Sequence, residues 1–407
     1  MAFEGEDVMN VVIEPSKLSG RISAPPSKSY AHRLLICAAL AKGESIVRGI
    51  SQSDDMKATL ACMNALGAGT VKDGGTVFAS GINKRCEGIP VLNCNESGST
   101  LRFFIPISLV FADEAVFKGT ARLIERGVGI YEEMLGGSGI SLKKEAEAIT
   151  VKGSLKAGDY TMRGDVSSQF ASGMLFSLPL LKGDSTLTVT EPVESRSYID
   201  ITIHALKSFG IRIKEEPKNT FIIKGGQMYK PQDITVEGDW SNAAFLYGFN
   251  AVGAGLEIEG LNNESIQGDK ACAGFFKELD GPFPEIDISN CPDLGPVLFA
   301  AAAAKNGGRF TGIRRLRIKE SDRAQAMAEE LLKFGIECET EENVMTVKAG
   351  KLKKPEKILN GHNDHRIVMS LSLLAGLTGG EIEGAQAVNK SWPGFFDDMK
   401  KLGLKVR

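Results

Sequence analysis

The chain is 407 residues long, room for two to four domains at about 100–200 residues each. A hydrophobic share of 43%, a charged share of 24% and a net charge of only −3 exclude a mainly disordered chain and a nucleic-acid binder that works by general phosphate attraction. No apolar run reaches the ~18 residues of a membrane span, and the opening MAFEGEDVMN lacks the apolar core of a secretory leader.

In chain order, a short strand at 20–24 runs into PPSKSYAHRLLICAALA from Pro25, a polar opening followed by an apolar helix-like stretch. Residues 55–81 then read as a helix, a Gly cap and two alternating strands across a polar turn. The pattern returns along the chain. A strand at 90–94 leads to ESGSTLRFFIPISLVF from Glu96, and one at 159–163 to GDVSSQFASGMLFSLPLL from Gly164. A strand at 233–237 leads to GDWSNAAFLYGFNAV from Gly238, one at 285–289 to CPDLGPVLFAAAAA from Cys291, and NDHRIVMSLSLLAG follows from Asn363. Segments 198–226 and 323–350 repeat the helix, Gly cap and strand pair, and weaker copies end at 136–139, 279–281 and 400–403.

The starts lie 71, 68, 74, 53 and 72 residues apart, so a β-α-β-α-β-β unit recurs about six times, with one short step. The first helix of each unit is apolar all round and reads as buried; the second is amphipathic and reads as surface. The expected fold class is α/β, with two similar domains of three repeats each. The N-terminal domain is placed at 21–229 and the C-terminal domain at 1–20 plus 230–407, with hinges where Pro and Gly cluster near 14–20 and 226–231. The seven cysteines and four histidines form no C-x-x-C or zinc-spaced group. Reduced thiols in a cytoplasmic protein, without structural metal, are therefore expected.

All six buried helices open on small or polar residues, and helix N-termini attract anions through free N–H groups and the aligned dipole. Cations recur at or near these openings: Lys28, Arg33, Arg102, Arg323, Arg366 and Lys390, with Arg126 and Lys319 in connecting loops. That placement points to substrates bearing phosphate and carboxylate groups. Lys28, Ser29 and Arg33 form a phosphate and hydroxyl cradle. ESGST is a Gly-containing turn that lets backbone approach a ligand closely, but it lacks the G-K-[ST] of a nucleoside triphosphate loop. Ser167, Ser168 and Gln169 serve either as caps or as ligands. Ser321 or Asp322 could cap the helix that follows them. Arg366 precedes a helix with no other charge, which sets it apart from an ordinary surface residue. Asp293 and Glu320 are the candidate proton-transfer acids, Asp293 with an N-cap as its alternative role.

SKSYAHR, ESGSTLR, SSQ, SRSYIDIT, PD, KESDR, NDHR and KSWPGF, in this order, resemble the EPSP synthase family, the 3-phosphoshikimate 1-carboxyvinyltransferases of the shikimate pathway, from about Val11 to the end. The resemblance implies an enolpyruvyl transferase-like inside-out α/β barrel, its two domains closing around an active-site cleft. It implies transfer of the enolpyruvyl group of phosphoenolpyruvate to the 5-hydroxyl of shikimate 3-phosphate through a tetrahedral intermediate, towards chorismate and the aromatic amino acids, with no cofactor. By motif, Lys28, Ser29, Arg33, Ser167, Ser168, Gln169, Ser195, Tyr198, Asp293, Arg315 and Lys319 would hold shikimate 3-phosphate, and Arg196 lies in the same SRSY segment. Lys28, Gly98, Arg126, Gln169, Arg323, Arg366 and Lys390 would hold phosphoenolpyruvate. Asp293 would accept the 5-hydroxyl proton, and Glu320, with Lys28, would serve proton delivery to the methylene carbon. A monomer is expected, and Gly98 leaves room for glyphosate, a competitor at the phosphoenolpyruvate pocket. Glu96 and Arg315 stand where relatives often carry Asn, and Phe103 where one branch carries Pro.

The nearest competing family, the UDP-N-acetylglucosamine enolpyruvyl transferases, shares fold and donor. It usually carries a reactive Cys in the loop that here reads FKGTARLIERGVGI (117–130), which has none, and opens with Lys-Asn where this chain has Lys28-Ser29. A silent binder of phosphorylated metabolites would be marked by a lost acid or pocket cation, and Asp293, Glu320, Lys28, Arg126, Arg323 and Arg366 are all present.

Overall fold

The computed structural model describes residues 8–407; MAFEGED, on which the expectation of no secretory leader partly rests, lies outside the described residues. The chain forms two compact units, one of Pro26–Glu237 and one that joins the residues up to Pro25 to Gly238–Arg407. The crossings thus fall at 25/26 and 237/238, not at the 20/21 and 229/230 expected from sequence. Strand pairing is the reason. Ser19–Ser23 pairs in parallel with Gly255–Glu259 and so stays with the C-terminal unit, while Asp233–Thr235 pairs in parallel with Glu44–Arg48 and so stays with the N-terminal unit. Each crossing strand serves a different unit from the helix that follows it.

The N-terminal unit holds three four-stranded sheets of one topology. In the third, Asp159–Arg163 runs parallel to Ser185–Thr190, and the hairpin Ile213–Glu216 and Thr220–Ile223 completes it antiparallel. The sequence STLTVT buries Ser185, Leu187 and Val189 and leaves Thr186 and Thr188 half-exposed and Thr190 exposed, the period-2 pattern of a strand with one face on a core. That core is built on the helices Lys28–Leu40, Gly98–Phe111 and Ser168–Ser177, buried along nearly their whole length. The last two meet at Gly173, where a Cβ would stand 2.6 Å from the Arg102 carbonyl oxygen, so a side chain there would force the helices apart. The second-type helices, such as Arg196–Ser208, bury one stripe only.

The C-terminal unit buries the helices Trp240–Ala251, Gly295–Ala303 and His365–Thr378. One sheet, from Glu285–Asp287 to Val344–Val347 and Cys338–Thr340, repeats the N-terminal topology. A second places Val11–Glu14 between Gly380–Glu383 and Lys405–Val406. The fourth repeat departs from the expected unit. After the helix Cys272–Glu278 the chain passes to Glu285–Asp287, the first strand of the fifth repeat, and no hairpin intervenes. This missing hairpin is the physical origin of the 53-residue step. Among the described residues no helix is long and apolar enough to cross a membrane, and all seven cysteines are free thiols.

Candidate active site

In the N-terminal unit, functional side chains gather at the starts of the three buried helices. Ser27 caps the first, accepting the Tyr30 N–H, which sets Lys28 as its first residue. The Lys28 ammonium donates to Asp55 Oδ2 at 2.8 Å, with both side chains largely buried. Arg33, one turn on, is 2% exposed. Its Nε donates to Thr202 Oγ1 (2.7 Å), Nη1 to the Ser29 carbonyl (2.7 Å), and Nη2 to the Tyr198 carbonyl (3.0 Å) and Ser172 Oγ (3.4 Å). Burial pushes its pKa down to about 10, so it is a cation at neutral pH. Four of its five N–H donors are thus spent on protein oxygens. Arg33 therefore binds the Ser29 and Tyr198 segments together.

The second helix opens at Gly98, with Ser97 accepting the Thr100 N–H at 3.3 Å. A buried chain of hydroxyls steadies this turn, from His32 Nδ1 to Thr59 (2.7 Å), on to Thr100 (2.9 Å) and Ser97 (2.8 Å). Burial, aided by Lys28 and Arg33, holds the His32 pKa well below its ordinary value, so the ring is neutral. A Cβ on Gly98 would stand 3.1 Å from Arg126 Nη2 and 3.2 Å from Arg102 Nη1. Two guanidinium groups of like charge therefore flank one small space, an arrangement that an anion relieves. Arg102 also donates to Gln169 Oε1 (2.6 Å), stacks its guanidinium 5.1 Å from the Phe170 ring centre, and is buried. Gln169 Nε2 donates to Ser99 Oγ at 2.9 Å. Arg102, to which the motif resemblance gives no role, thus stands with Gly98, Arg126 and Gln169 at this helix start.

At the third helix Ser167 is the N-cap, its hydroxyl accepting the Gln169 N–H at 3.3 Å, and Ser168 follows it, also buried. Ser195 is buried with φ +56, a left-handed conformation that an ordinary residue keeps only when its surroundings impose it. Arg196, beside it, turns to Asp200 and Glu215 and is part of a separate surface network.

In the C-terminal unit the cluster centres on Asp293, in the 3₁₀ turn Pro292–Leu294. Its carboxylate accepts from Lys319 Nζ (3.0 Å), Arg323 Nη1 (2.7 Å) and Arg366 Nη2 (3.2 Å), and its carbonyl from Arg366 Nη1 (3.1 Å). The helix Gly295–Ala303 starts without a side-chain cap, so capping does not account for Asp293. Burial pushes its pKa up, but Arg366, Lys319 and Arg323 outweigh that and hold it well below the carboxylate range. Burial pulls the Lys319 ammonium down to about 8, with Asp293 resisting and Arg315 reinforcing. Arg315 itself is buried in the turn Arg314–Ile318.

Asp322 caps the helix Arg323–Lys333, through the Gln325 N–H. Arg323 is 1% exposed and reaches three carboxylates, Asp293, Glu320 (2.7 Å) and Asp364 (2.8 Å). Burial opposes its charge, yet these acids outweigh burial and hold its pKa above the ordinary value. Asp364, which the sequence reading did not single out, is fully buried, caps the sixth helix through the Arg366 N–H and accepts from Ser321 Oγ. An Asp at a helix start is a local signal for the cap, but its side-chain partners Arg323 and Ser321 lie 41 and 43 residues away in sequence, and no local signal reveals them. Arg366 Nη2 donates to Ser241 Oγ (2.7 Å), and its buried Nε–H has no hydrogen-bond partner among the described residues. Lys390, in the turn Ala385–Lys390, donates to the Asn363 carbonyl at 2.5 Å.

The model of the family EPSP synthase (3-phosphoshikimate 1-carboxyvinyltransferase) matches residues 12–282 and 276–399. The chain is 39% identical over 417 residues to a 3-phosphoshikimate 1-carboxyvinyltransferase of Clostridium kluyveri, covering 97% of this chain and 98% of the relative. It is 41% identical over 418 residues to that of Clostridium botulinum, covering 96% of each. Among solved structures, EPSP synthase from Acinetobacter baumannii matches with a TM-score of 0.79 at 25% identity, over 98% of this chain and 99% of that one. With its repeats, its cation-rich helix starts and these full-length likenesses, the chain belongs to the EPSP synthase family.

Proposed function

We propose that this chain transfers the enolpyruvyl group of phosphoenolpyruvate to the 5-hydroxyl of shikimate 3-phosphate, releasing phosphate, and that the residues above divide the work. Ser29, Arg33, Ser167, Ser168, Gln169, Ser195 and Tyr198 hold shikimate 3-phosphate, with Asp293, Arg315 and Lys319 on its ring and substituents. Gly98, Arg102, Arg126, Gln169, Arg323, Arg366 and Lys390 hold phosphoenolpyruvate, and Lys28 touches both. One observation carries this reading: three cations converge on Asp293 within 3.2 Å. With Arg315 and Lys390 counted, the proposed site residues of that unit number five cations, against the acids Asp293, Glu320 and Asp364, an excess of two positive charges. In the N-terminal unit Lys28, Arg33, Arg102 and Arg126 number four cations, against the acid Asp55, which pairs with Lys28, an excess of three. The two substrates together bring two carboxylates and two phosphates, about six negative charges at neutral pH. Each cluster is net cationic by itself, as binding of anionic substrates requires.

The chemistry follows from the same residues. The shikimate 5-oxygen bonds to C2 of phosphoenolpyruvate as its proton passes to the Asp293 carboxylate, and a proton supplied by Glu320, with Lys28 assisting, is added at C3. In the second half the C2–O bond to phosphate breaks, phosphate leaves, and C3 gives its proton back. Asp293 in the substrate-free protein is a poor base, because three cations hold it. Incoming phosphate and carboxylate groups compete for those same cations, which loosens their hold on Asp293 and raises its basicity when the hydroxyl is in place. The test is phosphate release from phosphoenolpyruvate, with shikimate 3-phosphate in one tube and UDP-N-acetylglucosamine in the other. Release only with shikimate 3-phosphate is expected; release only with the nucleotide sugar overturns the acceptor.

A further inference from the structure

Glu330 lies two turns beyond Arg323 on the helix Arg323–Lys333, and it is only 1% exposed, whereas its neighbour Glu329 is exposed. Burying a carboxylate is costly unless it is hydrogen-bonded and paired. Glu330 Oε2 accepts the Asn360 N–H (2.9 Å); Oε1 accepts from Lys333 Nζ (2.9 Å) and pairs with His362 Nε2 (3.1 Å). Burial pushes its pKa up, but His362, Lys333 and the Asn360 N–H outweigh burial and hold the group ionised.

The segment it grips needs holding. His362 and Asn363 both have φ +49, two consecutive left-handed residues that are not glycine. Left-handed backbone is unfavourable for a residue with a side chain, for His more than for Asn, so the turn persists only if its surroundings determine it. Asn360 Oδ1 accepts the His362 N–H at 2.6 Å, and the Asp364 N–H returns to the Gly361 carbonyl at 2.9 Å. One helix therefore fastens this turn at two points: Glu330 holds Asn360 and His362, and Arg323 holds Asp364. Beyond the turn lies Arg366, and the Asn363 carbonyl receives Lys390.

We propose that Glu330, acting through His362 and the Asn360 N–H, is a positioning residue that sets the 360–364 turn and with it the placement of Arg366 and Lys390 for phosphoenolpyruvate. This rests on the reading above that those two cations hold that substrate. The test is steady-state kinetics of Glu330→Gln and His362→Gln, with exposed Glu329→Gln as the control for loss of charge and Arg366→Lys as the check on the underlying reading. The expected result for Glu330→Gln is a phosphoenolpyruvate KM raised on the order of tenfold, with the shikimate 3-phosphate KM changed less than about twofold, since a small displacement of a binding group is costly. His362→Gln, which keeps one donor, gives a smaller shift in the same direction, and Glu329→Gln gives none. If Arg366→Lys raises the phosphoenolpyruvate KM while Glu330→Gln and His362→Gln lower only thermal stability, or move both KM values together, the positioning role is overturned and the functional reading stands. If Arg366→Lys also leaves the phosphoenolpyruvate KM unchanged, the functional reading of that cation fails and the proposal fails with it. Should Glu330→Gln not fold, His362→Gln decides by the same split.

Discussion

Replacing Asp293 by Asn tests the centre of the proposed mechanism. The amide has the shape of the carboxylate and keeps one acceptor oxygen, so Lys319 at 3.0 Å and Arg323 at 2.7 Å retain a neighbour, and Arg323 retains Glu320 and Asp364. What is lost is the base and one negative charge. Loss of a general base worth 10²–10⁴ raises the barrier by about 3–5 kcal/mol. Loss of the charge raises the cluster's excess from two positive charges to three, which favours a trianionic ligand. The variant is therefore expected to lose on the order of 10²–10⁴ in kcat while its phosphoenolpyruvate KM stays level or falls. Stopped phosphate-release assays give both parameters, and the thermal shift on adding phosphoenolpyruvate with shikimate 3-phosphate reports binding without turnover. A kcat within about threefold of the parent, or a phosphoenolpyruvate KM that rises in step with the lost turnover, refutes the reasoning.

Two further outcomes follow from the same geometry. Gly98→Ala places a methyl 3.1 Å from Arg126 and 3.2 Å from Arg102, so these side chains must yield a few tenths of an ångström. The phosphoenolpyruvate KM should rise on the order of tenfold and the shikimate 3-phosphate KM far less, as separate substrate titrations will show, since misplaced binding groups cost affinity steeply; equal rises count against the assignment of Gly98. Lys319, with a pKa near 8, is a cation below that pH and neutral above it. The shikimate 3-phosphate KM is therefore level below about pH 8 and climbs above it, and Lys319→Met removes the climb; a profile flat to pH 9 in the parent refutes the contact. The stability effect has the opposite sign. Between about 8 and the ordinary lysine value the unfolded chain holds a proton that the folded chain lacks, so this group adds stability as pH rises through that window.

The buried helices were legible because their signal is local: an apolar run and a polar start lie within one stretch of chain. The cations at helix starts were legible for the same reason. Partners were not. Nothing in SGRIS says that it pairs with GLEIE 236 residues later, so the crossings between units were misplaced by several residues. Arg33 and Arg323 read as ligands from their positions, yet they also bind protein oxygens that come from other helices. Glu329 and Glu330 are chemically alike; only the face of a helix whose packing is set elsewhere decides which one is buried. The missing hairpin of the fourth repeat left a trace as a short step, but a step length does not say which element is absent.

The place of Val11–Glu14, inside a sheet between Gly380–Glu383 and Lys405–Val406, bears on the order in which the protein takes shape during synthesis. Val12 pairs with Glu381, which leaves the ribosome 369 residues later. At about 5–20 residues per second, that is a wait of roughly 20–75 seconds. The N-terminal unit is one uninterrupted stretch and has all its strands once Glu237 has emerged. It is therefore complete while the strand that precedes it in the chain is still unpaired. A nascent chain stalled soon after residue 237 should already resist proteolysis through its middle and remain open to cleavage at its leading end.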